Sequence, residues 1–85
     1  MRIRKTLIED LVREKILKHG LKKEEVENAL LYGNPKISKD KYGRYLAIAH
    51  HNRYITVIFE YVNFDAEVIT AYPSSDWQIR RYKRK

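Results

Sequence analysis

The chain has no cysteine, and only three glycines, two prolines and one tryptophan in 85 residues. Without cysteine there is no disulfide framework, thiolate metal ligand or sulfur nucleophile, as suits an intracellular setting. Glycine and proline are too scarce, beside 44% hydrophobic residues, for a collagen-like or disordered chain, so order is expected almost end to end. The longest apolar runs, such as YITVIF, fall far short of the roughly 20 residues of a membrane span. MRIRKTLIED lacks the apolar stretch of a secretory signal. A cytoplasmic protein without membrane contact is expected. Acids are the scarcer charge: 11 Asp and Glu stand against 18 Lys and Arg, for a net charge of +7. The imbalance is steepest in residues 76–85, with one acid and five bases. A polyanion or an acidic protein is the expected partner. A solubilising, thermophile-like lysine-rich surface is the plainer alternative.

A chain this short builds one core, so residues 1–85 are read as a single domain. In TLIEDLVREKILKHG, Leu7, Ile8, Leu11, Val12 and Ile16 recur on one helical stripe, with Thr6 as N-cap and Gly20 as stop, predicting a helix over about 6–19. KKEEVENALLYGNP sets Glu24 and Glu25 in a first turn and Val26, Ala29 and Leu30 on one face, with Gly33 and Pro35 beyond, for a helix over about 23–32. The period then changes, and β-branched and aromatic runs predict strands over about 36–40, 44–50, 54–62 and 66–72 in an antiparallel meander. Pro73 ends the last strand, and Ser74 or Ser75 caps a helix over about 74–82, pinned by Trp77 and Ile79. The expected fold is α+β: two N-terminal helices on one face of a four-stranded antiparallel sheet, a short C-terminal helix, and an open second face.

Alternation assigns residues to those faces. Ile55, Val57, Phe59 and Tyr61 form a core row, and Tyr54, Thr56, Ile58 and Glu60 the open one. A three-residue break at Asn63, Phe64 and Asp65 would set Ile69 and Ala71 beside Phe59 and Val57. It would also place Tyr72 on the open face and keep Glu60 from facing Glu67. The strand over 44–50 admits two registers. Packing Leu46 and Ile48 inward exposes Tyr45, Ala47, Ala49 and His51, whereas the alternative exposes Arg44, Leu46, Ile48 and His50.

No metal or other cofactor is expected. His50 and His51 are strand neighbours aimed at opposite faces, and His19 ends a helix without a second ligand at suitable spacing. There is no glycine-rich phosphate loop and no serine elbow. The remaining Arg, Lys, His and Tyr suit RNA cleavage by its own 2'-hydroxyl, which needs a proton acceptor, a proton donor and cations around the phosphate. Histidine can serve as acceptor and donor, tyrosine can where cations favour it, and arginine holds phosphate oxygens in pairs. Plainer roles compete: His19 complementing a helix dipole, His50, His51 and Arg53 as turn residues, and Tyr72 as an edge aromatic. Arg80, Arg81, Lys83, Arg84 and Lys85 are dense enough to suggest phosphate contact.

The stretches KHGL, GRYLAIAH, VIFEY and VITAYPSSDWQIRRY, in this order, resemble the BrnT-like toxins and a related uncharacterised domain family, both grouped with RelE-type ribonucleases of toxin–antitoxin pairs. The resemblance implies a compact sheet covered by helices on one face, metal-independent mRNA cleavage on the other, and neutralisation by a cognate acidic antitoxin. Arg44 and the turn Lys18, His19 and Gly20 match the family's pattern. Its last-strand arginine falls on Tyr72, and its final-helix glutamate–arginine pair falls on Gln78 and Ile79, which do not match. The expectation is an endoribonuclease in which Arg44, Arg80 and Arg81 hold phosphate and Tyr72 with His50 or His51 moves protons. Lys18, His19, Arg53, Lys83, Arg84 and Lys85 would contact RNA. A non-catalytic nucleic-acid-binding domain, or an inactive homologue of the toxins, is the alternative, and an interaction module for an acidic protein is a third reading.

Overall fold

The computed structural model describes residues 1–84 and has an α+β architecture. The chain forms β1 (Lys5–Leu7), α1 (Asp10–Lys18), α2 (Lys23–Tyr32), β2 (Lys36–Lys39), β3 (Tyr45–His51), β4 (Arg53–Val62), β5 (Asp65–Pro73) and α3 (Asp76–Lys83). The five strands lie in the order β1-β5-β4-β3-β2, with β1 parallel to β5 and the other neighbours antiparallel. No helix among the described residues is long and apolar enough to cross a membrane.

The N-terminus corrects the four-strand, all-antiparallel expectation. Lys5, Thr6 and Leu7 are a fifth strand opposite Asp65, Ala66 and Glu67, and not the start of a helix. The first helix begins at Asp10, behind Glu9, so Thr6 is no N-cap; its Oγ1 is buried without a hydrogen-bond partner. Long-range contacts override the helical stripe here. The Arg4 N–H donates to the Phe64 carbonyl at 2.6 Å, and its guanidinium reaches both Asp65 oxygens at 3.1 and 3.2 Å. Those hydrogen bonds, and then the carboxylate charge, raise the Arg4 pKa above its ordinary value.

The core lies between the helical layer and one sheet face. Ile16 of α1, Leu21 of the connecting turn and Val26, Ala29 and Leu30 of α2 meet Ala47 and Ala49 of β3, Ile55, Val57 and Phe59 of β4, and Ala66, Val68 and Ala71 of β5. Bulky β4 residues thus run between two alanine-bearing strands, which lets the helices settle close to the sheet. Tyr45 stacks on Phe59 at 5.6 Å between centroids on this same face.

That packing decides the register of β3. Tyr45, Ala47, Ala49 and His51 belong to the helix side, opposite Phe59, Val57, Ile55 and Arg53, so Leu46, Ile48 and His50 take the other face. Hydrophobic burial favoured the opposite choice from sequence. It misleads because Ile48, on the second face, is only 3% exposed, where α3 lies against β3.

The β4–β5 connection differs from the expected three-residue break. Val62 pairs with Asp65 across a two-residue turn, and Glu60 does face Glu67. Asn63 and Phe64 have φ of 50° and 69°, the positive-φ pair of a type I′ hairpin turn. Phe59 then pairs with Val68 and Ile58 with Thr70, leaving Ile69 as a bulge. One extra residue reverses the alternation, so Ala66, Val68 and Ala71 all face the helices while Thr70 and Tyr72 face away. Without the bulge Tyr72 would point into the core.

Candidate nucleic-acid interface

Helix α3 follows β5 directly and lies on the face that α1 and α2 leave uncovered. Ser75 is its N-cap, with its N–H donating to Gln78 Oε1 at 2.9 Å. The helix is turned against its own hydrophobicity. Gln78 is 3% exposed, whereas Trp77, expected to pin the helix, is 53% exposed. Ile79 is half-buried, and Tyr82 stands one turn beyond Gln78 on the inward stripe.

Gln78 is held in by hydrogen bonds that its neighbours could satisfy in few other ways. Thr56, fully buried on β4, donates from Oγ1 to Gln78 Oε1 at 2.9 Å. Its one proton is then used, so in the 2.7 Å contact between Thr56 Oγ1 and Ser74 Oγ the serine donates. Gln78 Nε2 donates to the Tyr72 hydroxyl at 3.1 Å, which leaves the Tyr72 proton free for another acceptor. Tyr72 is thereby fixed on the open side of β5. His19, at the end of α1, lies beside it with ring centroids 6.4 Å apart and planes tilted by 59°.

Toward β3 and β2, the C-terminal half of α3 borders a groove of about 440 Å³. Leu46 and Ile48 contribute apolar surface, Ser38 sits alongside, and Lys36, Arg81 and Arg84 supply cations; among the described residues no carboxylate lines it. Lys36 also donates to the Arg84 carbonyl, and the Tyr82 hydroxyl shares its one proton between the carbonyls of Gly33 and Asn34 at 3.1 and 3.0 Å, tying α3 to the α2–β2 connection. Above the groove, His50 stacks on Tyr54 at 4.2 Å with planes 21° apart, and Tyr82 meets Tyr54 edge-on at 5.7 Å. The Lys83 ammonium lies 5.6 Å from the Tyr54 ring centre.

The residues singled out from sequence therefore divide. Tyr72, His50, Arg81, Lys83 and Arg84 are on the α3 side of the sheet, and His19 reaches its edge. His51 is on the helix side, near Tyr32 at 6.5 Å, so it cannot join Tyr72. Arg53 is also on the helix side. It bonds Glu25 at 3.0 and 3.1 Å and the Gly20 carbonyl at 2.6 Å, which places it as a brace for the turn carrying His19 and not as a phosphate ligand. Arg44 shares a hollow with Lys15, Glu60 and Glu67, and lies about 13 Å along the strand from the row of Tyr72. Arg80 is exposed on the helix flank opposite Gln78 and Tyr82. Lys18 is exposed in the last turn of α1, and Lys85 lies outside the described residues.

Sequence reasoning missed Lys36, Thr56, Ser74 and Gln78. Lys36 was legible as the strand partner of Ile48 once the β3 register is known; Gln78 carried a capping-box signal, three residues after Ser75. Among the described residues no group of three or more His, Asp or Glu gathers as a metal cluster. No protein-family model matches the chain, and neither a curated protein nor a solved structure matches it at a significant level.

Proposed function

We propose that this protein binds RNA on the sheet face that carries α3. The observation that supports this most is the groove in which Lys36, Arg81 and Arg84 surround an apolar floor, with no carboxylate among the described residues that line it. Cations without counter-charges among the described lining residues favour phosphate, and an apolar floor suits nucleobases or sugars. The positive net charge adds long-range attraction.

Metal-independent cleavage is the second reading, favoured by the juxtaposition of His19 and Tyr72. An imidazole and a phenol with a free proton are a proton acceptor and a donor, the two functions that 2'-hydroxyl attack requires. In this reading His19 replaces His50 and His51 as partner of Tyr72, because His50 is stacked on Tyr54 and His51 is on the other face. The likeness to BrnT-like toxins extends the reading to an mRNA-cleaving toxin held in check by an acidic antitoxin.

One experiment separates the readings. Labelled RNA is incubated with the wild type, the double variant Lys36→Ala/Arg81→Ala and the double variant His19→Ala/Tyr72→Phe, in the presence of a chelator. Binding weakened at least tenfold in the first variant, and products ending in 2',3'-cyclic phosphate lost only in the second, is the expected result. Binding without products in the wild type would leave a non-catalytic RNA-binding domain, and no RNA binding at all would sink both readings.

A further inference from the structure

Four aromatic side chains stand on or beside the proposed RNA face, and three are engaged. Tyr54 has His50 stacked on it, Tyr82 edge-on and Lys83 nearby. Tyr82 has its hydroxyl on two carbonyls and the Lys36 ammonium 5.9 Å from its ring centre. Tyr72 is held by Gln78 with His19 alongside. Trp77 makes no aromatic or cation–π contact among the described residues and is 53% exposed.

The exposure is built in. A turn of the helix by one residue, about 100°, would bury the indole and release the glutamine to water, the arrangement hydrophobicity favours. The bonds from Thr56, Ser75 and Gln78 to their partners hold the opposite arrangement. Trp77 and Arg81 are four residues apart, so they share one flank of α3, and Arg81 already lines the groove with Lys36 and Arg84. Separated by one helical turn, about 5.4 Å, an indole and a guanidinium are within reach of the base and phosphate of one nucleotide.

We propose that Trp77 is a stacking platform for an unpaired base and that the site selects single-stranded over duplex RNA, Arg81 holding the adjoining phosphate. The inference rests on the RNA-binding reading. A stacking platform needs a base whose face is free, which a duplex withholds.

Trp77 is the only tryptophan, so its emission reports on this position alone. Titration with a short oligouridine is expected to quench it, whereas a blunt RNA duplex binds more weakly and leaves the emission unchanged. By anisotropy of labelled RNA, Trp77→Ala should weaken oligouridine binding about tenfold, the order expected for loss of one stacked base. Duplex binding should change less than twofold, and Trp77→Phe should recover most of the loss. Unchanged oligouridine affinity in Trp77→Ala, with Lys36→Ala/Arg81→Ala still weakening it, would overturn the stacking role and leave RNA binding standing. No binding of either RNA would overturn both, and equal quenching by an acidic peptide would move the site to a protein partner.

Discussion

Gln78 illustrates how a single buried polar side chain can set the direction of a helix. Its carbonyl oxygen accepts from Thr56 and Ser75, and its amide nitrogen donates to Tyr72. Replacing it with leucine supplies apolar volume but removes the acceptor of the Ser75 N–H and one partner each of Thr56 Oγ1 and the Tyr72 hydroxyl, while Thr56 keeps its contact with Ser74. A hydrogen bond of this kind contributes about 0.5–1.5 kcal/mol, and the bonds to Thr56, Ser75 and Tyr72 are lost together, so Gln78→Leu is expected to lower Tm by several degrees in thermal denaturation. An unchanged or higher Tm would mean that leucine packing outweighs the hydrogen bonds. The sequence displayed Trp77 and Gln78 side by side and hydrophobicity chose the wrong one, because three hydrogen-bond partners, one of them Thr56 on another strand, decide the question. Tyr72 was legible as an open-face residue; that His19 would stand beside it was not, since their approach depends on how α1 lies along β5.

At the scale of elements, local chemistry and long-range pairing were read with unequal success. The second helix has the expected bounds, Lys23–Tyr32, because its first-turn acids, apolar face and glycine stop agree. Strands β3, β4 and β5 fall within about one residue of expectation, since β-branched runs and polar breaks bracket them. β1 was hidden: three residues carry no periodicity, and the partner that makes them a strand is remote in sequence. The β4–β5 hairpin was misread because its turn uses Phe64, an aromatic, at φ 69° where glycine is favoured. Relief of that strain outweighs the loss of a ring that is 58% exposed and touches Tyr61 at its edge. Phe64→Gly is therefore expected to raise stability by about 1 kcal/mol in denaturant titration at constant m. Destabilisation would show that the contacts of Phe64 with the N-terminal segment matter more than backbone strain.

Over the whole molecule, charge is divided between the layers. Residues 9–32, which include both covering helices, hold six acids and five Lys or Arg, whereas residues 33–85 hold five acids and ten. Lys36, Arg81, Lys83 and Arg84 belong to the second group and border the α3 groove or its rim. If all four neutralise phosphates of a single strand, a plot of log affinity against log salt should have a slope of about −3, and Lys36→Ala should reduce its magnitude by about 0.7. A slope near zero in the wild type would remove phosphate contact as the source of binding.

The parallel β1–β5 pairing also has a temporal consequence. Lys5 is paired with Asp65, sixty positions downstream. A chain emerging from the ribosome therefore makes its first strand long before that strand has anywhere to go. Ile16, Leu21 and Val26 likewise wait for the β4 and β5 residues that cover them. Vectorial synthesis cannot bring the sheet to completion piece by piece as the strands are made: β1 is synthesised first and paired last, and cooperative folding is deferred until the residues of β5 have left the exit tunnel.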